Sequence, residues 1–267
     1  MAIVTLTTDW GQRDYFAGAV KGRLLSALPE LAVVDITHLV EPHNIAQAAF
    51  VLRNAFREFP AGTVHIVSVN STASTKNPHV AVLLEGHYFI GADNGLLSLI
   101  SDKKPEKIIE IDIPQDSGYF VFPGRDLFVK AAVHLAKGHA VEELGFTTAQ
   151  LKETALWQAS IDHDQLTGND SISGKVIYVD NYGNCVTNIP QKEFNALRKN
   201  RSFYIHMPSD SFRQYSLYEA YDDVDEGKLL ALMSTTGYLQ IAINQGRANR
   251  LLGLEPWEST ITVEFIE

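Results

Sequence analysis

One tight turn in the C-terminal half of the chain carries a high density of polar and aromatic side chains. It lies between two β-type runs within residues 177–189, and its five positions are Asp180, Asn181, Tyr182, Gly183 and Asn184. Asp, Asn and Gly favour turns because they tolerate positive φ or hydrogen-bond their own backbone. The same carboxylate, amides and ring could hold a planar polar ligand, with the ring stacked on it and the amides at its edges. An ordinary hairpin and a ligand-binding turn are both consistent with this segment alone.

A second set of polar residues follows the predicted strands of the N-terminal half. Asp9, Asn70 and Asp93 each come after a β-type run. In a parallel α/β sheet, ligands bind at the carboxyl ends of the strands, so these residues are candidates for one crevice. The Asp9 carboxylate could hold the two hydroxyls of a ribose, and a helix N-cap or turn residue is the alternative. Asp93 opens an Asp-Asn-Gly sequence that is typical of a plain turn.

Other polar residues have simpler explanations. Arg125 and Asp126 open a predicted helix, where the helix dipole alone favours an acidic residue. The Asp-His-Asp run at 162–164 is interpreted as solvated. The sequence contains no glycine-rich nucleotide-binding motif, no nucleophile elbow, no H-E-x-x-H motif and no cysteine cluster. We therefore expect no metal site.

Composition restricts the class of protein. The 267 residues suffice for one large domain or two small ones. The net charge is −10 and no basic cluster stands out, which argues against a nucleic-acid or anionic-membrane partner. The single cysteine, Cys185, cannot form an internal disulfide, as suits a reducing compartment. No apolar run approaches the ~20 residues of a membrane span, and the N-terminus does not resemble a signal peptide. We expect a soluble, cytoplasmic protein.

The hydrophobic patterning changes about halfway along the chain. In the first half, β-type runs alternate with helices, which predicts an α/β domain with a largely parallel sheet. These helices are predicted at residues 15–28, 44–59 and 124–137. Short β-type runs then dominate, with one predicted helix at 191–199, and predict an all-β, barrel-like domain. The predicted bounds are 1–150 for the N-terminal domain, 151–170 for a linker and 171–267 for the C-terminal domain.

The polar turns belong to a longer set of motifs that resembles one enzyme family. Over nearly its whole length the chain is similar to the S-adenosylmethionine (SAM) hydroxide adenosyltransferases, the SAM hydrolases related to the fluorinase and chlorinase. The resemblance is carried by TLTTDWG at 5–11, VVDITHLVEPHNI at 33–45, FPAGTVHIVSV at 59–69, ADNGLLSL at 92–99, FPGRDLF at 122–128, VDNYGN at 179–184 and GYLQIAINQGRA at 237–248. In this family hydroxide, or a halide in the halogenases, attacks the ribose C5′ and methionine leaves.

The resemblance implies a homotrimer in which SAM binds between the N-terminal domain of one subunit and the C-terminal domain of its neighbour. Asp9 matches the carboxylate that holds the ribose hydroxyls, and Asp180 matches the residue that takes the methionine amino group. Tyr182 matches a ring packed on adenine, and Asn184 an amide at its edge. A looser alignment gives Tyr221 the other face of the adenine.

The chain departs from the family at the residues that activate water. The hydrolases carry Asp and Arg in a D-P-G-V-G-T-x-R loop and His in an F-H-G-R-D motif, and the corresponding positions here hold Asn70, Asn77 and Pro123. An amide cannot act as a carboxylate base, and proline offers no side-chain proton acceptor. The halogenase features do not replace them, because the Thr and Ser positions of the halide pocket hold Val121 and Gly124.

The sequence therefore predicts a divergent SAM hydrolase that forms adenosine and methionine without the family's water-activating triad. Its substrate is SAM and no cofactor is expected. His43, or a water held by Asn70 and Lys76, could serve in place of the triad, and the alternative is that these are surface groups. The sulfonium is a good leaving group, so a positioned nucleophile needs little base assistance. An adenosine- or SAM-binding protein with weak or no turnover is the alternative function.

Overall fold

The computed structural model describes residues 2–115, 117–155, 158–208 and 212–266. The chain divides into two compact units, residues 1–155 and 156–267. Within the predicted linker, residues 156 and 157 lie outside the described residues, and Ser160–His163 form a strand. Across the described ranges, no helix combines the length and the apolar character that crossing a membrane would require.

The first unit is built on a seven-stranded mixed sheet. Its strands are β1 (Ile3–Thr8), β2 (Ala32–Thr37), β3 (Val64–Ser68), β4 (His79–Leu84), β5 (His87–Ala92), β6 (Lys107–Ile111) and β7 (Gly145–Thr147). The spatial order is β2-β1-β3-β5-β4-β6-β7. The first four of these run parallel, and β4, β6 and β7 add antiparallel pairs. The predicted α/β class is confirmed.

Helices cover both faces of this sheet. They are α1 (Phe16–Ala27), α2 (Ile45–Ala55) and α3 (Val129–Ala136). One face packs against α1 and α3, and the other packs against α2. Because β3 is covered on both faces, all five of its residues are buried. The helix predicted over 124–137 begins as a π-helical turn, Gly124–Phe128, and becomes α-helical only at Val129.

The second unit is a curved antiparallel sheet of eight strands. These are β8 (Ser160–His163), β9 (Asp170–Val179), β10 (Cys185–Pro190), β11 (Ser202–His206), β12 (Arg213–Gln214), β13 (Leu229–Met233), β14 (Tyr238–Ile243) and β15 (Thr260–Ile266), with helices α4 (Gln191–Arg198) and α5 (Ala248–Leu252). The order is β12-β11-β15-β9-β10-β14-β13, and β8 pairs with β9. Gln214 Nε2 donates to the Leu229 carbonyl at 2.7 Å, so the two end strands nearly close the sheet. The predicted barrel-like class is confirmed.

Two features of this fold position the polar turns. In the first unit β1, β3 and β5 are parallel neighbours, and Thr8 at the end of β1 is in register with Ser68 at the end of β3. The residues that follow these strands therefore meet at one sheet edge. In the second unit β9 and β10 form a hairpin whose connection is the turn at 180–184.

Candidate functional site

The Asp9 carboxylate joins two loops at the edge of the first sheet. Its Oδ2 accepts hydrogen bonds from the backbone N–H of His43 at 3.0 Å and of Asn70 at 3.1 Å. Both donors have positive φ, 67° and 47°, a conformation that non-glycine residues keep only where the surroundings enforce it. In the described part of the chain, no donor reaches Asp9 Oδ1. One carboxylate oxygen thus organises the loops and the other is open to a ligand.

The loop after β3 is held by two further side chains. Asn94, which is buried, donates from Nδ2 to the carbonyls of Val69 and Asn70, both at 3.0 Å. His79 donates from Nε2 to the Ser71 carbonyl at 2.8 Å. Burial lowers the pKa of His79, so this imidazole is neutral near pH 7. The backbone from 69 to 71 is therefore fixed although it lies outside any strand.

The Trp10 indole, next to Asp9 in the chain, packs against Gly124 at the start of the π-helical turn. A Cβ at Gly124 would lie 2.6 Å from Cζ2 of Trp10 and 3.3 Å from Oγ of Ser68, so only glycine fits there. The Trp10 ring is parallel to that of His38, with 6.1 Å between centroids, and meets Phe122 edge-on at 5.4 Å. The close approach of Gly124 to Trp10 and Ser68 places the start of the π-helical turn against the ends of β1 and β3.

The three residues that the resemblance matches to the family's triad, Asn70, Asn77 and Pro123, carry no basic side chain. Asn70 is exposed, and its side chain makes no hydrogen bond within the described ranges. Asn77 accepts at Oδ1 from Lys152 Nζ at 3.0 Å, and its backbone closes a tight turn with Ser74. Pro123 is buried immediately before the π-helical turn. Two amides and a pyrrolidine ring cannot take a proton from water near neutral pH.

Asp93 and Asp126 have structural partners. The Asp93 carboxylate accepts the Lys152 backbone N–H at 2.9 and 3.1 Å, and burial raises its pKa. The buried Asp126 carboxylate receives two hydrogen bonds from Arg125, both at 2.7 Å, which lower its pKa. Ser117 also donates to it at 2.8 Å. Both carboxylates bind other parts of the same unit.

In the second unit, Asp180 organises the turn at 180–184. Its Oδ1 accepts the backbone N–H groups of Tyr182 and Asn184, both at 2.9 Å, and its Oδ2 accepts Asn184 Nδ2 at 2.9 Å. Gly183 has φ of 87°, and a Cβ there would lie 2.7 Å from Oδ1 of Asn249. The turn is thus rigid and electronegative, and a cationic group bound at Asp180 would share the carboxylate with Asn184.

Two exposed tyrosines lie near this carboxylate. The Tyr182 side chain is 74% exposed and that of Tyr221 is 43% exposed. Tyr221 donates from its hydroxyl to Oε1 of Gln240 at 3.1 Å. Its pKa is raised by burial and additionally by the charge of Asp180, so the carboxylate lies within electrostatic range. The structure places Asp180, Tyr182 and Asn184 in one turn, with Tyr221 within electrostatic range of the Asp180 carboxylate, and exposed rings near an amide suit a planar ligand with polar edges.

Sequence reasoning missed the residues that hold the first-unit loop. The sequence predicts a plain turn at Asn94 and gives no indication of a role for His79. The Asp-Asn-Gly sequence after a strand marks Asn94 as a loop residue that could bind backbone groups. It does not identify the carbonyls that Asn94 contacts, which lie 24 and 25 positions away. Over the ranges that the structure describes, no group of three or more His, Cys, Asp or Glu residues has the arrangement of a metal site.

The chain belongs to the SAM hydroxide adenosyltransferase family. The model of the family's N-terminal domain matches residues 4–145, and that of its C-terminal domain matches residues 174–260.

Individual relatives agree with this assignment. A protein of Methanocaldococcus jannaschii named (R)-S-adenosyl-L-methionine hydrolase is 27% identical over 265 residues, which cover 95% of this chain and 92% of the relative. A protein of the same name from Thermus thermophilus is 29% identical, with 96% and 97% covered. A fluorinase of Nocardia brasiliensis is 24% identical, with 91% and 90% covered. The crystal structure of an uncharacterised conserved protein from Thermotoga maritima superposes with a TM-score of 0.86 at 28% identity, covering 99% of this chain and 100% of that one.

Proposed function

We propose that the protein is a divergent SAM hydrolase in which water or hydroxide attacks the ribose C5′ and releases adenosine and methionine. The proposal rests on Asp9, at the carboxyl ends of β1 and β3, whose Oδ2 accepts two backbone hydrogen bonds while its Oδ1 has no donor in the described part of the chain. The relatives of this chain include proteins named SAM hydrolases. A carboxylate oxygen without a protein donor, beside a rigid loop, is suited to accept hydrogen bonds from ribose hydroxyls.

The nucleoside and methionine ends of SAM call for different groups. Asp9 would hold the ribose, and His43, exposed and fixed by its backbone, would lie beside it. In the second unit Tyr182 and Tyr221 would contact the adenine faces and Asn184 its edge. Asp180 would attract the methionine ammonium by charge, with its oxygens already partly satisfied by the turn.

The proposed chemistry relies on positioning. Sulfur leaves as a neutral thioether, so the leaving group needs no proton, and the attacking oxygen loses one to solvent. Holding water in line with the C5′–S bond contributes to the rate without a base. Because Asn70, Asn77 and Pro123 supply no proton acceptor, we expect slow turnover, with general base catalysis of about 10²–10⁴-fold missing.

The two sets of binding residues lie on different units of the chain, and the proposal joins them across subunits of a cytoplasmic homotrimer. Sedimentation equilibrium at micromolar concentration checks this part, with an expected mass of three times 29.6 kDa. A stable monomer that still binds adenosine would refute the assembly while leaving the nucleoside site in place.

An adenosine- or SAM-binding protein with little or no turnover is the second candidate. The observation that favours it is the absence of a base at all three triad positions. A SAM incubation in H₂¹⁸O separates the candidates, with adenosine and methionine measured by mass spectrometry. The hydrolase forms both in equal amounts, with ¹⁸O on the 5′ oxygen of adenosine. A binder protects SAM and releases neither product. Asp9→Ala serves as the matched site-defective control.

A further inference from the structure

Two serine hydroxyls form a pair at the end of β3. Oγ of Ser68 and Oγ of Ser71 lie 2.8 Å apart. Two hydroxyls carry two protons, and a single hydrogen bond between them uses only one. Within the described ranges neither hydroxyl contacts another side chain or backbone group by a hydrogen bond. One O–H group and several lone pairs of the pair are therefore available to a further partner.

The pair adjoins the proposed ribose carboxylate. The backbone N–H of Asp9 points to the Ser68 carbonyl at 3.4 Å, and Asn70, between the two serines, donates its N–H to Asp9 Oδ2 at 3.1 Å. The serine pair therefore belongs to the segment whose backbone contacts Asp9, next to the position proposed for the ribose.

Only one end of the pair is open. Ser68 is 1% exposed, and its Oγ would lie 3.3 Å from a Cβ built at Gly124, so this hydroxyl packs beside the Gly124 backbone. Ser71 is partly exposed. A water that joins the pair would consequently approach Oγ of Ser71, with the Ser68 hydroxyl behind it.

The backbone that carries Ser71 is preorganised. Its carbonyl is held by His79 at 2.8 Å, and the preceding carbonyl of Asn70 is held by Asn94 at 3.0 Å. Asn70 has a positive φ of 47°, which is unfavourable for a non-glycine residue, so these hydrogen bonds are needed to hold the backbone in this conformation. A hydroxyl fixed in this way orients a bound water with little further loss of entropy.

We propose that Ser71, supported by Ser68, holds the attacking water of this chain. The inference rests on the proposed SAM hydrolysis and assigns the water-holding role to groups outside the three triad positions. The water oxygen forms its bond to C5′ while the C5′–S bond breaks and its electron pair stays on sulfur. The new 5′ oxygen then releases one proton to solvent through the exposed side of Ser71. The serines orient the water and are not consumed.

Steady-state kinetics of Ser71→Ala, Ser68→Ala and the double variant test this role. We expect kcat for adenosine formation to fall roughly tenfold in Ser71→Ala, which corresponds to loss of one neutral hydrogen bond. KM for SAM and the calorimetric Kd for 5′-deoxyadenosine, which lacks the oxygen that the water delivers, should stay unchanged, because the pair contacts the water and not the rest of the nucleoside. The double variant should lose no more than Ser71→Ala, and Ser71→Thr should recover most of kcat. Thr72→Ala, an exposed neighbour in the same loop, is the matched control.

The outcomes separate the two proposals. If the wild-type protein forms no adenosine, the hydrolase function is wrong and the water-holding role falls with it. If the wild type is active and Ser71→Ala keeps its kcat, the hydrolase function stands and the serine assignment is wrong. A rise in the Kd of 5′-deoxyadenosine that matches the loss in rate would also overturn the assignment, since Ser71 would then bind a part of the nucleoside other than the new 5′ oxygen. Unfolding of Ser68→Ala would leave Ser71→Ala, at a partly exposed position, to decide the question.

Discussion

Oδ2 of Asp9 accepts the backbone N–H of Asn70 at 3.1 Å, which connects the proposed ribose carboxylate to the residue that the resemblance aligns with the family's catalytic carboxylate. Asn70 adopts a positive φ of 47°, so the contact also holds a strained residue. A nucleoside bound at Asp9 would therefore influence the geometry of this loop. Substitutions at Asp9 should act on ribose binding and on loop order together.

Asp9→Ala should weaken adenosine binding by about 1.5–3 kcal/mol, the range for hydrogen bonds to a charged group. Isothermal titration calorimetry measures the change, and Asp14→Ala provides a control that removes an exposed carboxylate from the same region. Equal adenosine affinity for the wild type and Asp9→Ala would refute the ribose assignment.

Tyr182→Ala should weaken adenosine binding with little effect on folding, because the ring is 74% exposed and contributes little to the core. Stacking of a base on an aromatic ring contributes about 1–3 kcal/mol, so a loss in this range is expected. Tyr215→Ala removes another exposed ring, 57% accessible, from the same unit. If both variants lost affinity equally, Tyr182 would have no specific role in the site.

The sequence was most informative where patterning is local. The apolar spacing that predicts α1 places Val20 and Leu24 in the core, and the turn residues at 180–184 mark a polar site in both sequence and structure. The π-helical start at Gly124 could not be predicted, because it accompanies close contact with Trp10, over 100 positions away. The hydrogen bond from Asn94 to the Asn70 carbonyl could not be predicted either, because it depends on the conformation of a loop 24 positions away. The domain bounds and the roles of the site residues stay predictions.

A buried histidine should make folding stability dependent on pH. His65 hydrogen-bonds Thr5 at 2.7 Å, and burial, with a smaller effect from His87, lowers its pKa to about 3. The unfolded chain protonates this imidazole near its ordinary pKa of 6.5, whereas the folded chain does not. Stability from the neutral form is therefore complete above pH 6.5 and is lost as the pH falls toward 3, by up to about 1.4 kcal/mol per pH unit.

Urea unfolding between pH 7 and pH 4.5 measures this dependence. His65→Gln should reduce the slope of unfolding free energy against pH by one proton equivalent, whatever its effect on absolute stability. Thr72→Ala, which changes an exposed side chain without removing a titratable group, should leave the slope unchanged. An unaltered slope in His65→Gln would show that His65 does not carry the effect.

Restoring the family's triad with Asn70→Asp, Asn77→Arg and Pro123→His should raise adenosine release, because a carboxylate and an imidazole can then orient and deprotonate water. The Lys152 ammonium, 3.0 Å from Asn77 Oδ1, would repel an arginine there, so adding Lys152→Ala should increase the gain. The loop also lacks the family's two glycines, at Thr72 and Ser74. Asn54→Asp, on an exposed helix position, controls for an added carboxylate. Unchanged kcat in both combinations would indicate that the loop cannot bring these groups to the water.

The most direct test is a side-by-side measurement of SAM turnover by this protein and by a relative that retains the Asp, Arg and His triad. Under saturating SAM, with adenosine and methionine quantified together, we expect both products in equal amounts at a rate about 10²–10⁴-fold below that of the relative. No adenosine from a protein that demonstrably binds SAM would contradict hydrolysis. A rate equal to that of the relative would contradict the conclusion that the site is catalytically weakened.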